Sequence, residues 1–208
     1  MALAIPRNGS TTLAMSLLWA TLVWNMAEGV IAVWAGFAAG SVALVGFGLD
    51  SAIEVTASAV LIWRLQLTDD DARIEQRERM AHRVVGATFI VLAIYIAAEV
   101  AYTLIVGNEP DSSTIGLLLA IAATLVMPLL GFAKRRNALQ LGSRALVAEA
   151  NETLVCSYLS FTLFFGLAAN ALFGWWWADI AAAAAMVPWI VKEGLEGLRG
   201  ESCGGDCP

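Results

Sequence analysis

Long apolar runs separated by short polar stretches set the organisation of this chain. The first extends from about Leu13 to Phe37 and the second from Ser41 to Trp63. Only the small-residue turn Ala38-Ala39-Gly40 divides them, which predicts an antiparallel helical hairpin. The first run is too long for the apolar part of a signal peptide and has a single basic residue, Arg7, ahead of it, so it reads as a retained span. From Arg64 to Arg83 the character changes. Asp69, Asp70 and Asp71, then Arg73, Glu75, Arg77, Glu78 and Arg79, form a solvated segment, acidic where a helix begins and mixed in sign beyond it. A third run, Val84 to Val106, ends at Gly107-Asn108-Glu109-Pro110-Asp111-Ser112-Ser113, a loop by its Gly, Pro and Asx content. The fourth, Ile115 to Phe132, contains Pro128, which predicts a kink or a local break, and Lys134-Arg135-Arg136 closes it. A fifth run covers about Ala145 to Ala169. After Asn170 to Gly174, a sixth covers Trp175 to about Val191, opening on Trp175-Trp176-Trp177, where an interfacial aromatic anchor belongs.

Composition turns these runs into membrane spans. Of 208 residues, 59% are hydrophobic and 14% charged, against about 45–50% and about 25% in a soluble chain, and mean hydropathy is +0.73. Six spans of roughly 20 residues use about 120 residues and leave too little for a second domain of ordinary size. The fold class expected is all-α, a polytopic membrane protein with six transmembrane helices. The segments are an N-terminal piece over 1–12, the helical domain over 13–191 and a short tail over 192–208. A net charge of −6 argues against a nucleic-acid partner, which wants a basic face. Three cysteines, two of them in the last six residues, make no disulfide framework and are expected as reduced thiols.

Orientation follows from the basic residues, which are retained on the cytoplasmic side near span ends. All twelve Lys and Arg fall at the N-terminus, in the second and fourth connections, or after the sixth span. The opposite connections hold none, and one of them carries Glu109 and Asp111. Both termini are therefore expected in the cytoplasm, with a bacterial inner membrane as the default location.

Glu28, Asp50, Glu54, Glu99, Glu149 and Glu152 all fall at membrane depth, with Asp179 near the start of the sixth span, and no Lys, Arg or His stands among them in the runs. At about 2.5–3.5 kcal/mol for each charge at a helix centre, six acids facing lipid would together cost about 15–20 kcal/mol, so they are expected to face inward. A single acid such as Glu99 can serve as an interhelical hydrogen-bond partner. The whole set is better read as a cation site: acids without basic partners hold protons until a cation displaces them. Asp50 and Glu54 are four apart on the second span, Glu152 and Cys156 four apart on the fifth, so each pair shares a helix face. By rise per residue, Asp50 lies roughly 14 Å from the outer end of its span and Cys156 roughly 16 Å from the inner end of its antiparallel span, about the same level. Four oxygen and sulfur ligands at one depth suit a tetrahedral divalent transition metal, zinc first, with cadmium, iron, manganese or cobalt as alternatives. Glu99, Glu149 and Asp179, together with Asn25 and Glu28, which are three apart on the first span, are candidates for a metal or proton relay. The alternative for Asn25 and Glu28 is an interhelical hydrogen bond. Cys203, Asp206 and Cys207 in the tail are candidates for metal capture, or belong to an unstructured end. His82 reads as a solvated helix-surface residue. Gly36-x-x-x-Gly40 is a weak small-residue contact, and Gly46 and Gly48 leave room for close helix approach or bending.

At these positions the sequence resembles the cation diffusion facilitator family of divalent-metal/proton antiporters. Ala39-Gly40-Ser41-Val42-Ala43-Leu44, leading to Asp50-Ser51-Ala52-Ile53-Glu54, is similar to the family's second-span pattern. Ala148-Glu149-Ala150-Asn151-Glu152-Thr153-Leu154-Val155-Cys156 is similar to its fifth-span pattern, and Ala178-Asp179-Ile180-Ala181-Ala182 with Lys192-Glu193-Gly194-Leu195-Glu196 to its sixth. The family's usual zinc site mixes His with Asp, whereas these positions read Asp50, Glu54, Glu152 and Cys156. Cys156 replaces an acid, and a buried cysteine is more often an apolar filler than a ligand, so Glu149 is the substitute ligand. Family members usually carry a cytoplasmic C-terminal domain that binds metal and dimerises. Here the chain stops about ten to fifteen residues after the sixth span, so regulation and the contact of an expected homodimer are expected to come from elsewhere, or to be absent. The resemblance implies metal efflux from the cytoplasm by alternating access in exchange for protons. The alternative is a non-transporting membrane metal sensor or partner subunit. No enzyme is expected, because an intramembrane metalloprotease wants a His-Glu-x-x-His constellation and the one histidine lies outside the spans.

Overall fold

A computed structural model describes residues 9–66, 71–107 and 110–199. It contains six α-helices and, among the described residues, no strand: α1 (Gly9–Ala39), α2 (Val42–Gln66), α3 (Asp71–Val106), α4 (Thr114–Leu141), α5 (Arg144–Phe173) and α6 (Trp177–Arg199). Arg7, Asp69, Asp70, Glu109 and the tail with Cys203, Asp206 and Cys207 lie outside the described residues, as does the side chain of His82. Five helices, α1 to α5, are long and apolar enough to cross a membrane. In α6 the uncharged stretch is only 180–191, because Asp179 precedes it and Lys192 and Glu193 follow.

Three elements extend eight residues or more past one end of their apolar runs. α3 starts at Asp71, so the charged segment is the leading part of the third helix. Its 36 residues give about 54 Å of rise, well beyond about 30 Å of hydrocarbon. α4 is not broken by Pro128 but continues to Leu141, where Gly142 adopts φ 63 and its N–H bonds back to the Ala138 and Leu139 carbonyls. A proline forfeits one helical bond, to the carbonyl four residues back, which the flanking turns and a packed neighbour can carry. Here Met127 and Gly131 on either side are buried, Gly131 against Leu154 of α5. Lys134, Arg135 and Arg136 are thus helical, and the α4–α5 connection is only Gly142-Ser143. α6 likewise runs past Val191 to Arg199.

α1 with α2 and α4 with α5 form antiparallel hairpins, α1 also lies against α4, and α3 pairs with α6; α2 is central, touching α1, α3, α5 and α6. Gly40, at φ 65, makes the α1–α2 turn with nothing near it, so of the Gly36/Gly40 pair only Gly36 is a helix contact. A Cβ on Gly48 would lie 2.8 Å from the Val33 backbone nitrogen, so close helix approach is the reason for glycine there. Alternation brings the α1–α2, α3–α4 and α5–α6 connections to one end. Asp111 N donates to Ala39 O at 2.8 Å and Asn170 Nδ2 to Pro110 O at 3.0 Å. Trp175 and Trp177 stack at the same end with centroids 5.5 Å apart, both exposed as an interfacial anchor should be. Phe47, Ile96, Met127, Leu163 and Met186 fill the centre, while Ile105 is 85% and Leu172 75% exposed. Such an apolar jacket, extending around the bundle, makes this an integral membrane protein.

The α3–α6 pair closes where Gly86 meets Gly194 and Leu198: a Cβ on Gly86 would lie 2.6 Å from the Leu198 backbone nitrogen and 2.8 Å from Gly194 O. Backbone atoms cannot yield as a side-chain tip does. Gly86→Ala is therefore expected to destabilise the fold by about 1–3 kcal/mol, read as a lower unfolding temperature in detergent, with a larger loss for Gly86→Leu.

Candidate metal centre

α2 presents Asp50 and Glu54, both buried, and α5 presents Glu152, half-buried, and buried Cys156. The four-residue spacing keeps each pair on one face, and the contact between α2 and α5 turns the two faces together. All four line a single cavity of about 20 Å³, room for about one water or one ion. Cys156 stands beside Asp50 and Glu54. Phe89 of α3 and Ile190 and Glu193 of α6 complete the walls, so the cavity lies where the α3–α6 pair meets α2 and α5. The donor atoms surround this space without converging on one point: among the described residues no three His, Cys, Asp or Glu side chains are arranged to hold a metal ion. Glu193 was not among the candidates read from the sequence. Its signal was the Lys192-Glu193-Gly194 segment, which belongs to α6 and packs against α3 through Gly194.

Behind Glu54 lies a polar network that the apolar runs did not reveal. Thr153 Oγ1 donates to Glu54 Oε1 at 2.8 Å, and Lys134 Nζ donates to Thr153 Oγ1 at 2.9 Å. Lys134 also forms an ion pair with Glu149 Oε1 at 2.5 Å, to which Ser58 Oγ donates at 2.9 Å. Lys134 is 4% exposed, so the expectation that no basic side chain stands among the membrane acids is corrected. The reason is helical continuity: α4 passes through Pro128, and Lys134 falls on the stripe Ala120, Ala123, Met127, Gly131, Ala138 that faces inward. That stripe is the sequence signal that finds it. Glu149 is consequently held by Lys134 and Ser58 and does not line the cavity.

The remaining candidates are dispersed. Glu28 is buried on α1, where Ser51 Oγ donates to its Oε1 at 3.2 Å; its Oε2 and the Asn25 side-chain amide have no hydrogen-bond partner among the described residues. Neither residue lines the cavity. Glu99 is half-buried on α3 and lines no part of it. Asp179 sits at the opposite end of α2 from Glu54: Ser41 Oγ donates to its Oδ1 at 2.5 Å and Ala43 N to its Oδ2 at 3.5 Å. The Ser41 hydroxyl in turn accepts from Leu44 N at 3.1 Å, so Asp179 ties α6 to the cap of α2. By helical rise, Ser41 is about 14 Å from Asp50.

A sequence profile described as the cation efflux transmembrane domain matches residues 18–200, nearly the whole six-helix unit. Among curated proteins, the chain is similar to an uncharacterized transporter from Synechocystis, 27% identical over 146 residues, covering 67% of this chain and 47% of that protein. It is also similar to Transmembrane protein 163 of Xenopus laevis, 26% identical over 118 residues, covering 57% of this chain and 42% of that protein. The chain spans less than half the length of either relative.

Removing Glu149 tests the network directly. Glu149→Ala leaves the Lys134 ammonium buried without its partner, with an expected loss of about 3–5 kcal/mol in detergent unfolding. Replacing both, as Lys134→Met with Glu149→Leu, is expected to recover most of that loss.

Proposed function

The chain belongs to the cation efflux family, and from that premise we propose that it carries a divalent transition-metal cation, zinc first, across the bilayer in exchange for protons. The observation that carries this reading is the single cavity lined by Asp50, Glu54, Glu152 and Cys156. Carboxylates brought out of water without a lining cation are stable only when neutralised, and a dication or protons can do this alternately. A thiol among the donors favours zinc, cadmium or another soft ion over magnesium or calcium. On binding, α2 and α5 supply the ligands and the walls draw in to metal-bonding distance; on release, protons take the cation's place. Because two walls come from α3 and α6, relative movement of that pair and the rest of the bundle would open the cavity to one side or the other. The one-sided distribution of Lys and Arg supports cytoplasmic termini and outward transport from a bacterial inner membrane. A homodimer would take part of the exposed apolar face.

Purified protein in vesicles with an imposed pH gradient is expected to move zinc, followed by an internal zinc-sensitive dye, together with a measurable counterflow of protons. Asp50→Ala, verified as folded by size-exclusion and circular dichroism, is expected to reduce flux to that of protein-free vesicles. Flux retained in the variant would overturn the ligand assignment. Zinc binding without flux in the native protein would favour the sensor reading instead.

A further inference from the structure

We infer that Lys134 is a positioning residue for the cation site: by donating to Thr153 it fixes the Thr153 hydroxyl as a donor to Glu54, and by pairing with Glu149 it keeps that acid out of the ligand set. The inference rests on the cation-site reading for its effect on transport, but its geometric core does not.

The argument is one of hydrogens. An ammonium has three donors and no acceptor, so at the 2.9 Å contact the nitrogen must donate and Thr153 Oγ1 must accept. A threonine hydroxyl has a single hydrogen, and two acceptors compete for it: Glu54 Oε1 at 2.8 Å and the backbone carbonyl of Glu149, one turn back, at 3.2 Å. The Glu149 carbonyl already accepts the helical N–H of Thr153, so the shorter contact to Glu54 takes the hydroxyl hydrogen; Lys134, by donating to the same oxygen, polarises the hydroxyl and reinforces that bond. Glu54 is then held by Oε1, leaving Oε2, buried and without a hydrogen-bond partner among the described residues, as the free donor atom. Glu149 is likewise held at Oε1, by Ser58 and Lys134 together, and its Oε2 also has no hydrogen-bond partner among the described residues; what sets it apart is the direct ammonium contact and its place outside the cavity lining. One lysine thus sorts two neighbouring acids, turning one into a ligand holder and the other into a fixed counter-charge. A mere tie between α4 and α5 needs the ion pair alone and gives no reason for the second contact, to Thr153.

The test combines transport with a readout that needs no metal. In the metal-free protein with isotopically labelled glutamate, the Glu54 carboxyl band is identified in the infrared by its loss in Glu54→Gln. Lys134→Met and Thr153→Val are expected to move that band to the same new position, with no further movement in the double variant, while Thr153→Ser leaves it in place. In vesicles, Lys134→Met and Thr153→Val are each expected to raise KM for zinc about tenfold, a magnitude typical of groups that orient metal ligands. Their combination should be no worse than either alone, and Lys134→Arg should restore most of the loss. Where Lys134→Met does not fold, Lys134→Met with Glu149→Gln removes the orphaned charge and serves in its place. A Glu54 band unmoved by loss of the lysine, or effects of the two substitutions that add, would overturn the inference. Absence of zinc flux in the native protein would sink the transport reading and leave the infrared comparison standing.

Discussion

Hydrocarbon does not tolerate an uncompensated carboxylate, and that constraint organises the inside of this bundle. Compensation takes several forms along the same few turns of α2 and α5. Glu149 has an ammonium, Glu54 a hydroxyl that the ammonium orients, and Glu28 a serine. Asp50 and Glu152, with Cys156, have the cavity itself. Where the compensation is built from fixed side chains the acid is structural. Where it is left to whatever enters the cavity, the acid is available for chemistry. The division falls within a single face of α5, between Glu149 and Glu152.

Close helix approach makes this arrangement affordable. The α1–α2 hairpin and the α3–α6 pair both cross on glycines whose neighbours are backbone atoms, so the apolar contact is made near the axis and polar side chains reach across from the flanks. At the far end Asp179 fastens α6 to the cap of α2. The connections at that end converge through one main-chain bond and one bond from the Asn170 amide, so the bundle is closed there without the acids that line the cavity.

Much of this was legible in the sequence because hydropathy and helical periodicity are local. The six helices, a tight α1–α2 turn at Gly40 (with Ala38 and Ala39, read as part of the turn, belonging to α1), and the pairing of Asp50 and Glu54 with Glu152 and Cys156 around one cavity follow from run lengths and four-residue spacing. Helix ends were less legible: apolar runs stop where lipid stops, while helices stop where backbone hydrogen bonds do, so α3, α4 and α6 each extend beyond their runs. Lys134 was lost for the same reason. A basic residue after an apolar run reads as a boundary marker, and only the inward stripe through Met127, Gly131 and Ala138 shows that it points at the bundle. Which acids meet the cavity is a matter of helix rotation and neighbour identity. Glu193 lines it, and Glu99 and Asp179 do not, through contacts between elements distant in the chain.

The uneven length of the paired helices α3 and α6 has a mechanical corollary. Beside the crossing at Gly86, α6 is already within a turn or two of its end, yet α3 continues back to Asp71, about 22 Å of rod. A stiff arm that projects past its fulcrum magnifies rotation: a slight tilt at the glycine crossing becomes a broad sweep at the charged tip. On the proposed opening of the cavity by movement of the α3–α6 pair, that arm is the part of the helix pair that would travel furthest.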